Sequence, residues 1–130
     1  MSGNLLDTSI LIGPALAPGS LPPTAAISVV SLGELHAGVL LARDDQTRGG
    51  RVRRLEATRA AFAALDVDEA VAERYGEILA VARSEGRAAK ATDVLIIATA
   101  AVHGRDLHTR DERQAGLACA AAVPVLLVSG

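Results

Sequence analysis

Four acids stand out in this chain because of where they fall in its apolar pattern. Asp7 follows the pair Leu5-Leu6, and Glu34 sits in Ser31-Leu-Gly-Glu34. Asp93 opens a long apolar run after Thr92, and Asp111 follows Leu107-His-Thr109-Arg. Several carboxylates in one cleft repel one another, and without a counterion at least one takes up a proton. A divalent cation removes the conflict, and Mg²⁺ or Mn²⁺ favours such oxygen ligands. A site of that kind lowers the pKa of a bound water, orients it against phosphorus and neutralises developing phosphoryl charge. The residue types therefore point to metal-assisted phosphodiester hydrolysis, although their spacing alone does not single it out.

The elements that must position these acids can be read from periodicity and capping signals. Leu5-Leu6 fits a buried first strand ending at Asp7, and Pro14 to Pro23 reads as a loop with at most a short helix. Ala25 to Val29 reads as a second buried strand. Ser31 to Arg43 follows as an amphipathic helix with Leu32, Leu35, Val39 and Leu40 on one face, which puts Glu34 in its first turn. Arg43 to Arg54, with Gly49-Gly50 at its middle, reads as a connection into a third helix whose apolar side carries Leu55, Phe62 and Leu65. Asp68 is placed to cap a fourth helix bearing Val71, Tyr75, Ile78, Leu79 and Ala82, which ends at Gly86. Thr92 to Gly104 is the most apolar helix, with Thr92 as the expected N-cap and Gly104 in the left-handed position past its end. Short strands follow at Leu107-His108-Thr109 and at Val123 to Val128, where Pro124 suits an edge or a strand start.

Strands alternating with helices predict a parallel α/β sheet covered on both faces, in which ligands sit at the carboxyl ends of the strands. The four acids would converge on that edge. The chain has 130 residues, enough for one domain with a real core, and its net charge of −2 gives no global pull on nucleic acid. Phe62 and Tyr75 are the only aromatic residues, which argues against single-strand binding by base stacking. Of the 13 basic residues only Lys90 is not arginine, a bias that fits a GC-rich genome before it fits phosphate recognition. Cys119 is alone, so no intrachain disulfide or cysteine metal cluster is expected. The N-terminus lacks a secretory pattern and the final uncharged run is too short to span a bilayer, so a soluble, cytoplasmic protein is expected.

Leu-Leu-Asp7-Thr-Ser, Ser31-Leu-Gly-Glu34-Leu-His-Ala-Gly38, Thr92-Asp93-Val-Leu-Ile-Ile-Ala-Thr-Ala and Leu107-His-Thr109-Arg-Asp111 resemble the four acidic motifs of PIN-domain nucleases, in the same order. The compact length and the Glu34-Leu-His-Ala-Gly38 segment are most similar to the VapC toxins of bacterial toxin–antitoxin pairs. This resemblance implies a PIN-like three-layer α/β/α sandwich over residues 1–130, with a central parallel sheet of about four or five strands. It implies a Mg²⁺-dependent endoribonuclease, with Mn²⁺ able to substitute, that cuts tRNA, rRNA or mRNA by a metal-activated water and leaves 5′-phosphate and 3′-hydroxyl ends. It also implies a homodimer held inactive by a cognate VapB-type antitoxin. Carried over by motif, Asp7, Glu34, Asp93 and Asp111 are the metal-binding acids, with Asp7 and Asp93 the direct ligands. Thr8, Ser9 and Thr109 match small polar positions that support them. The proline-rich stretch departs from the regular first helix of many relatives.

Each of these residues also has a plainer reading. Ser31 and Glu34 have the spacing of a capping box, and Glu112 competes with Asp111. His36, His103 and His108 allow a metal-free mechanism on paper, but His103 suits a helix C-terminus for electrostatic reasons alone. Arg48, Arg51, Arg53, Arg54 and Arg59 read first as a solvated helix face, whereas Arg87 and Lys90, just before Asp93, are better placed to reach an RNA backbone. Cys119 reads as a small core residue. The rival functions are a catalytically silent PIN-like module that binds RNA or protein, and a receiver-type domain phosphorylated on aspartate. Lys90 stands before Asp93, which does not match the later lysine of receiver domains.

Overall fold

A computed structural model describes residues 3–14 and 24–129. In chain order the elements are β1 (Asn4–Leu6), α1 (Thr8–Ile12), β2 (Ala25–Ser28), α2 (Val29–Leu40), α3 (Asp45–Ala61) and β3 (Ala63–Leu65). They continue with α4 (Glu69–Ser84), α5 (Ala91–Val102), β4 (Asp106–Thr109), α6 (Glu112–Ala120) and β5 (Val125–Leu127). The five strands form one sheet in the order β3-β2-β1-β4-β5, parallel throughout. Strand order reverses at β1, so the carboxyl ends of β1 and β4 border the crevice where ligands of open α/β sheets sit.

Alternation along the strands builds the layers. Leu5, Ala26 and Leu107 face a cluster made by Val71 and Ile78 of α4, the apolar body of α5, and Leu117 and Ala118 of α6. Leu6 and Ile27 face the other way, onto Ile10 and Leu11 of α1, Leu32 of α2 and Phe62. A third cluster of Leu35, Val39 and Leu55 fastens α3 to α2. Helix α5 is the centre of the larger layer, with Val94, Ile96, Ile97, Ala98, Thr99 and Ala100 all buried. Each fully buried Val or Ile of that set contributes about 1.5–3 kcal/mol relative to exposure. The expected three-layer parallel α/β architecture is what the chain adopts.

Several boundaries differ from expectation. Helix α5 begins two residues earlier, with Lys90 at the N-cap position making no side-chain cap bond, so Thr92 lies inside the first turn and is not the cap. The end is as expected, with Gly104 at φ +61. Helix α2 begins at Val29 because Ser28, with extended backbone, accepts from Val30 N at 3.0 Å and takes the cap. Ser31 and Glu34 therefore form no capping box, and Glu34 lies in the second turn. The inward face of α2 is Ser31, Leu35 and Val39, while Leu40 is 67% exposed. The segment from Arg43 to Arg54 is not a connection: Asp44 caps α3 through Thr47 N at 2.7 Å, and Gly49-Gly50 lie within that helix. Phe62 ends α3 and Leu65 belongs to β3, a strand too short to show alternation. Asp68 does cap α4, and Gly86 at φ +67 follows its end. Pro124 precedes β5, an edge strand, and its carbonyl accepts from Leu107 N. Cys119 is exposed rather than a core residue. Of the proline-rich stretch, residues 15–23 lie outside the described residues.

Candidate active site

The crevice at β1 and β4 gathers the acids. Asp7 leaves β1 with its backbone N–H donating to His108 O at 2.8 Å, and its side chain caps α1. It is 4% exposed, so its carboxylate needs partners, and it has them. Oδ2 accepts from Ser9 Oγ at 2.7 Å, from Thr109 Oγ1 at 2.8 Å and more weakly from Ser9 N at 3.4 Å. Both hydroxyl hydrogens are thereby committed to Asp7, so the 3.1 Å approach of Ser9 Oγ to Thr109 Oγ1 is a contact and not a third bond. The same two oxygens accept in turn: Ser9 Oγ from Arg110 N at 2.9 Å and Thr109 Oγ1 from Asp111 N at 3.0 Å. Thr109 is fully buried beneath the acids.

Glu34 is oriented from α1. Thr8 Oγ1 donates to Glu34 Oε1 at 2.6 Å, and with that hydrogen spent, the Ser31 hydroxyl must donate to Thr8 across their 2.7 Å contact. Ser31 thus supports the acid at second hand instead of capping the helix. Asp111 caps α6, with Oδ1 accepting from Arg113 N at 2.9 Å and Gln114 N at 3.4 Å. Its role as cap fixes it in the crevice, whereas its competitor Glu112 is exposed in the first turn of α6.

Asp93, in the first turn of α5, shows that the four acids share one electrostatic site. Its pKa is pushed above the ordinary 3.8, first by burial and then by repulsion from Asp7, Glu34 and Asp111, with Lys90 pulling the other way. A residue perturbed by burial and by three like charges in a crevice is what functional sites produce. Among the described residues, no three His, Cys, Asp or Glu side chains close into a ready cage for an ion.

One residue at the centre was not anticipated. Gln114, on α6 and 2% exposed, donates from Nε2 to Asp7 Oδ1 at 3.3 Å and to Asp93 O at 3.0 Å. It shares the inward face of α6 with Leu117 and Ala118, so a polar residue on an apolar stripe was its available signal.

The basic residues divide. Lys90 lines a cavity of about 290 Å³ with Asp93, Asp111, Arg113 and Gln114. Arg87 is instead paired with Glu85 at 2.8 Å. From the arginine run, Arg51 and Arg54 line a second cavity of about 480 Å³ with Thr8 and Glu34, while Arg48 pairs with Asp45. The histidines do not assemble an acid–base pair. His36 is exposed on α2, His103 is exposed just past the end of α5, and His108 is held by Asn4 Oδ1 at 2.8 Å, with burial lowering its pKa.

Comparison with known proteins agrees with this geometry. The PIN domain family matches residues 5–118. Ribonuclease VapC8 of Mycobacterium tuberculosis is 41% identical over 104 residues, covering 75% of this chain and 90% of that protein. The crystal structure of VapBC-5, a toxin–antitoxin system from the same organism, superposes with a TM-score of 0.87 at 32% identity, over 98% of this chain and 100% of that one. FitAcB from Neisseria gonorrhoeae superposes with a TM-score of 0.77 at 31% identity, over 94% and 95% of the two chains. The chain belongs to the PIN domain family, in its VapC ribonuclease branch.

Proposed function

We propose that this protein is a Mg²⁺- or Mn²⁺-dependent endoribonuclease and the toxin of a toxin–antitoxin pair, folded as a single domain over its 130 residues. The observation that carries the reading is the gathering of Asp7, Glu34 and Asp111 near enough to Asp93 to raise its pKa, with Lys90 opposing them there. An all-oxygen, anionic donor set fits a hard divalent cation. Asp7 and Asp93 would hold it directly, and Glu34 and Asp111 directly or through water. When bound, the cation supplies an activated water and neutralises charge developing on the phosphoryl oxygens.

The chain's own residues prepare that site. Ser9 and Thr109 hold Asp7 by two hydroxyl bonds to one oxygen, which keeps Oδ1 on the Gln114 side. Thr8 turns Glu34 toward the acids. Lys90, beside Asp93 and Asp111, is placed to meet an RNA phosphate as it enters. Arg87, engaged with Glu85, must first leave that partner to do the same. A homodimer, a VapB-type antitoxin and a cytoplasmic setting belong to the same proposal. The relatives crystallised as VapBC complexes support the antitoxin, and Leu40 and Leu41, 67% and 76% exposed, support a protein partner of some kind.

The rival is a module that binds RNA or protein without cutting. Four mutually repelling carboxylates have no use in such a module, since each would weaken its hold on a polyanion. The test is cleavage of total cellular RNA with Mg²⁺ or Mn²⁺, beside reactions with EDTA and with Asp7→Ala and Asp93→Ala. Discrete fragments that vanish in all three controls support the nuclease. Fragments that survive EDTA refute the metal mechanism, and intact RNA in a sample that binds Mn²⁺ favours the rival.

A further inference from the structure

Gln114 touches three of the four acids by three different routes. Its side-chain amide donates to the Asp7 carboxylate at 3.3 Å and to the Asp93 carbonyl at 3.0 Å. Its backbone N–H donates to the Asp111 carboxylate at 3.4 Å. The orientation of the amide is fixed by chemistry, since both neighbours of Nε2 are acceptors and a flipped amide would face two oxygens with an oxygen. The same orientation leaves Oε1 buried and without any hydrogen-bond partner. A buried acceptor with no partner is destabilising, and such groups in folded proteins call for an explanation. Fold alone does not require this one, because the face of α6 that carries Gln114 is otherwise apolar, with Leu117 and Ala118. The Asp93 carbonyl, inside the first turn of α5, has its helical bond without Gln114.

From these contacts we infer that Gln114 is a positioning residue, an amide clamp that sets the separation of Asp7 from the first turn of α5 and so tunes the divalent-cation site. Its donor hydrogens bridge the end of β1 and the start of α5, two elements that no other side-chain hydrogen bond among the described residues joins. The bridge also gives Asp7 Oδ1 a neutral donor, which offsets charge in the acid cluster without adding a fixed cation that would compete with a metal ion. The orphaned Oε1 is the cost of holding both acceptors with one group. This assignment rests on the metal-dependent reading above.

The test uses the whole protein with Mn²⁺ alone as the probe. Gln114→Met keeps the length and unbranched shape of the side chain and removes both donors. Gln114→Asn keeps the amide and shortens its reach. Mn²⁺ titration by calorimetry is paired with thermal melting in EDTA, and cleavage is measured at rising Mn²⁺. Loss of an outer partner of a metal ligand typically weakens affinity or activity by about 10–100-fold. Both variants are expected to bind Mn²⁺ at least roughly tenfold more weakly than wild type. Their melting in EDTA should stay close to wild type, KM for RNA should be unchanged, and kcat should recover as Mn²⁺ is raised. Unchanged Mn²⁺ affinity in a folded Gln114→Met protein overturns the inference and leaves the nuclease reading intact. A large fall in melting temperature with unchanged affinity of the folded fraction assigns Gln114 a structural role and overturns it too. Wild-type protein that binds no Mn²⁺ removes the metal-dependent reading, and the clamp with it.

Discussion

Replacing Thr109 with valine separates the role of its hydroxyl from that of its bulk. Thr109 is fully buried, so Thr109→Val is nearly isosteric and a burial argument alone predicts no harm or a slight gain. The hydrogen-bond accounting predicts the opposite. Oγ1 donates to the Asp7 carboxylate at 2.8 Å, and a hydrogen bond to a charged group contributes about 1.5–3 kcal/mol. It also accepts from Asp111 N at 3.0 Å, but Asp111 is exposed, so water can take over part of that bond. Asp7 keeps Ser9 and Gln114, so the expected loss is about 3 kcal/mol and not the full penalty of a stranded charge. For 130 residues the unfolding entropy is about 0.27 kcal/mol/K near melting, so that loss lowers Tm by roughly 10 °C. Thr109→Ser keeps the hydroxyl and gives up one methyl, at about 1 kcal/mol. The assay is thermal and urea unfolding of wild type and both variants in EDTA. A valine variant within about 0.5 kcal/mol of wild type, or one more stable than the serine variant, would refute the claim that the hydroxyl and not the volume is what the site requires.

Asp93 makes the metal-free protein pH-sensitive in a defined direction. Its folded pKa is raised, so its stabilising contribution is fully present below pH 3.8 and is lost as pH rises through the folded value. At neutral pH without metal, Asp93→Asn should therefore be more stable than wild type, with a flatter difference against pH, while losing cleavage. Adding Mg²⁺ at 100 times its Kd should stabilise wild type by about 2.7 kcal/mol and Asp93→Asn by much less, and EDTA should reverse the gain. Gly76 lies within α4, and a methyl added there would meet nothing within 4 Å, so Gly76→Ala should stabilise by about 0.5–1 kcal/mol in urea unfolding. Gly104→Ala meets equally open space but at φ +61, so it should cost about 1 kcal/mol, and equal effects for the two would contradict the backbone argument.

What could be read from the chain itself follows from how each signal arises. Asp7, Asp93 and Asp111 were legible because they sit at strand ends and helix starts that the sheet brings to one edge, whereas Glu34, in the second turn of α2, was legible only through its motif. Boundaries were less legible where two local preferences compete. Val29 and Val30 are β-branched and extend the pattern of β2, yet the Ser28 cap turns them into the first turn of α2. Gly49-Gly50 read as a break, but the Asp44 cap on one side and the burial of Leu55 on the other carry a helix through them. Strand β3 has three residues, too few to display a period. Gln114 and Ser31 depend on partners across the fold at Asp7 and Thr8, and no local pattern encodes such pairings.

Strand β1 pairs on one side with β2, Asn4 opposite Ala25, and on the other with β4, Asn4 opposite Asp106. The bond between Thr109 and Asp7 spans 102 residues. Closing so long a segment is slow, and it cannot begin until the distant partner has been made. On the ribosome, the first acid must therefore wait about 100 residues for the strand and helix that complete its surroundings. A product that stops before α5 carries Asp7 and Glu34 with neither Asp93 nor Asp111 folded against them. The four-acid crevice thus assembles only after Asp111 and the helix behind it have been made, and a fragment that stops short of them lacks the complete set.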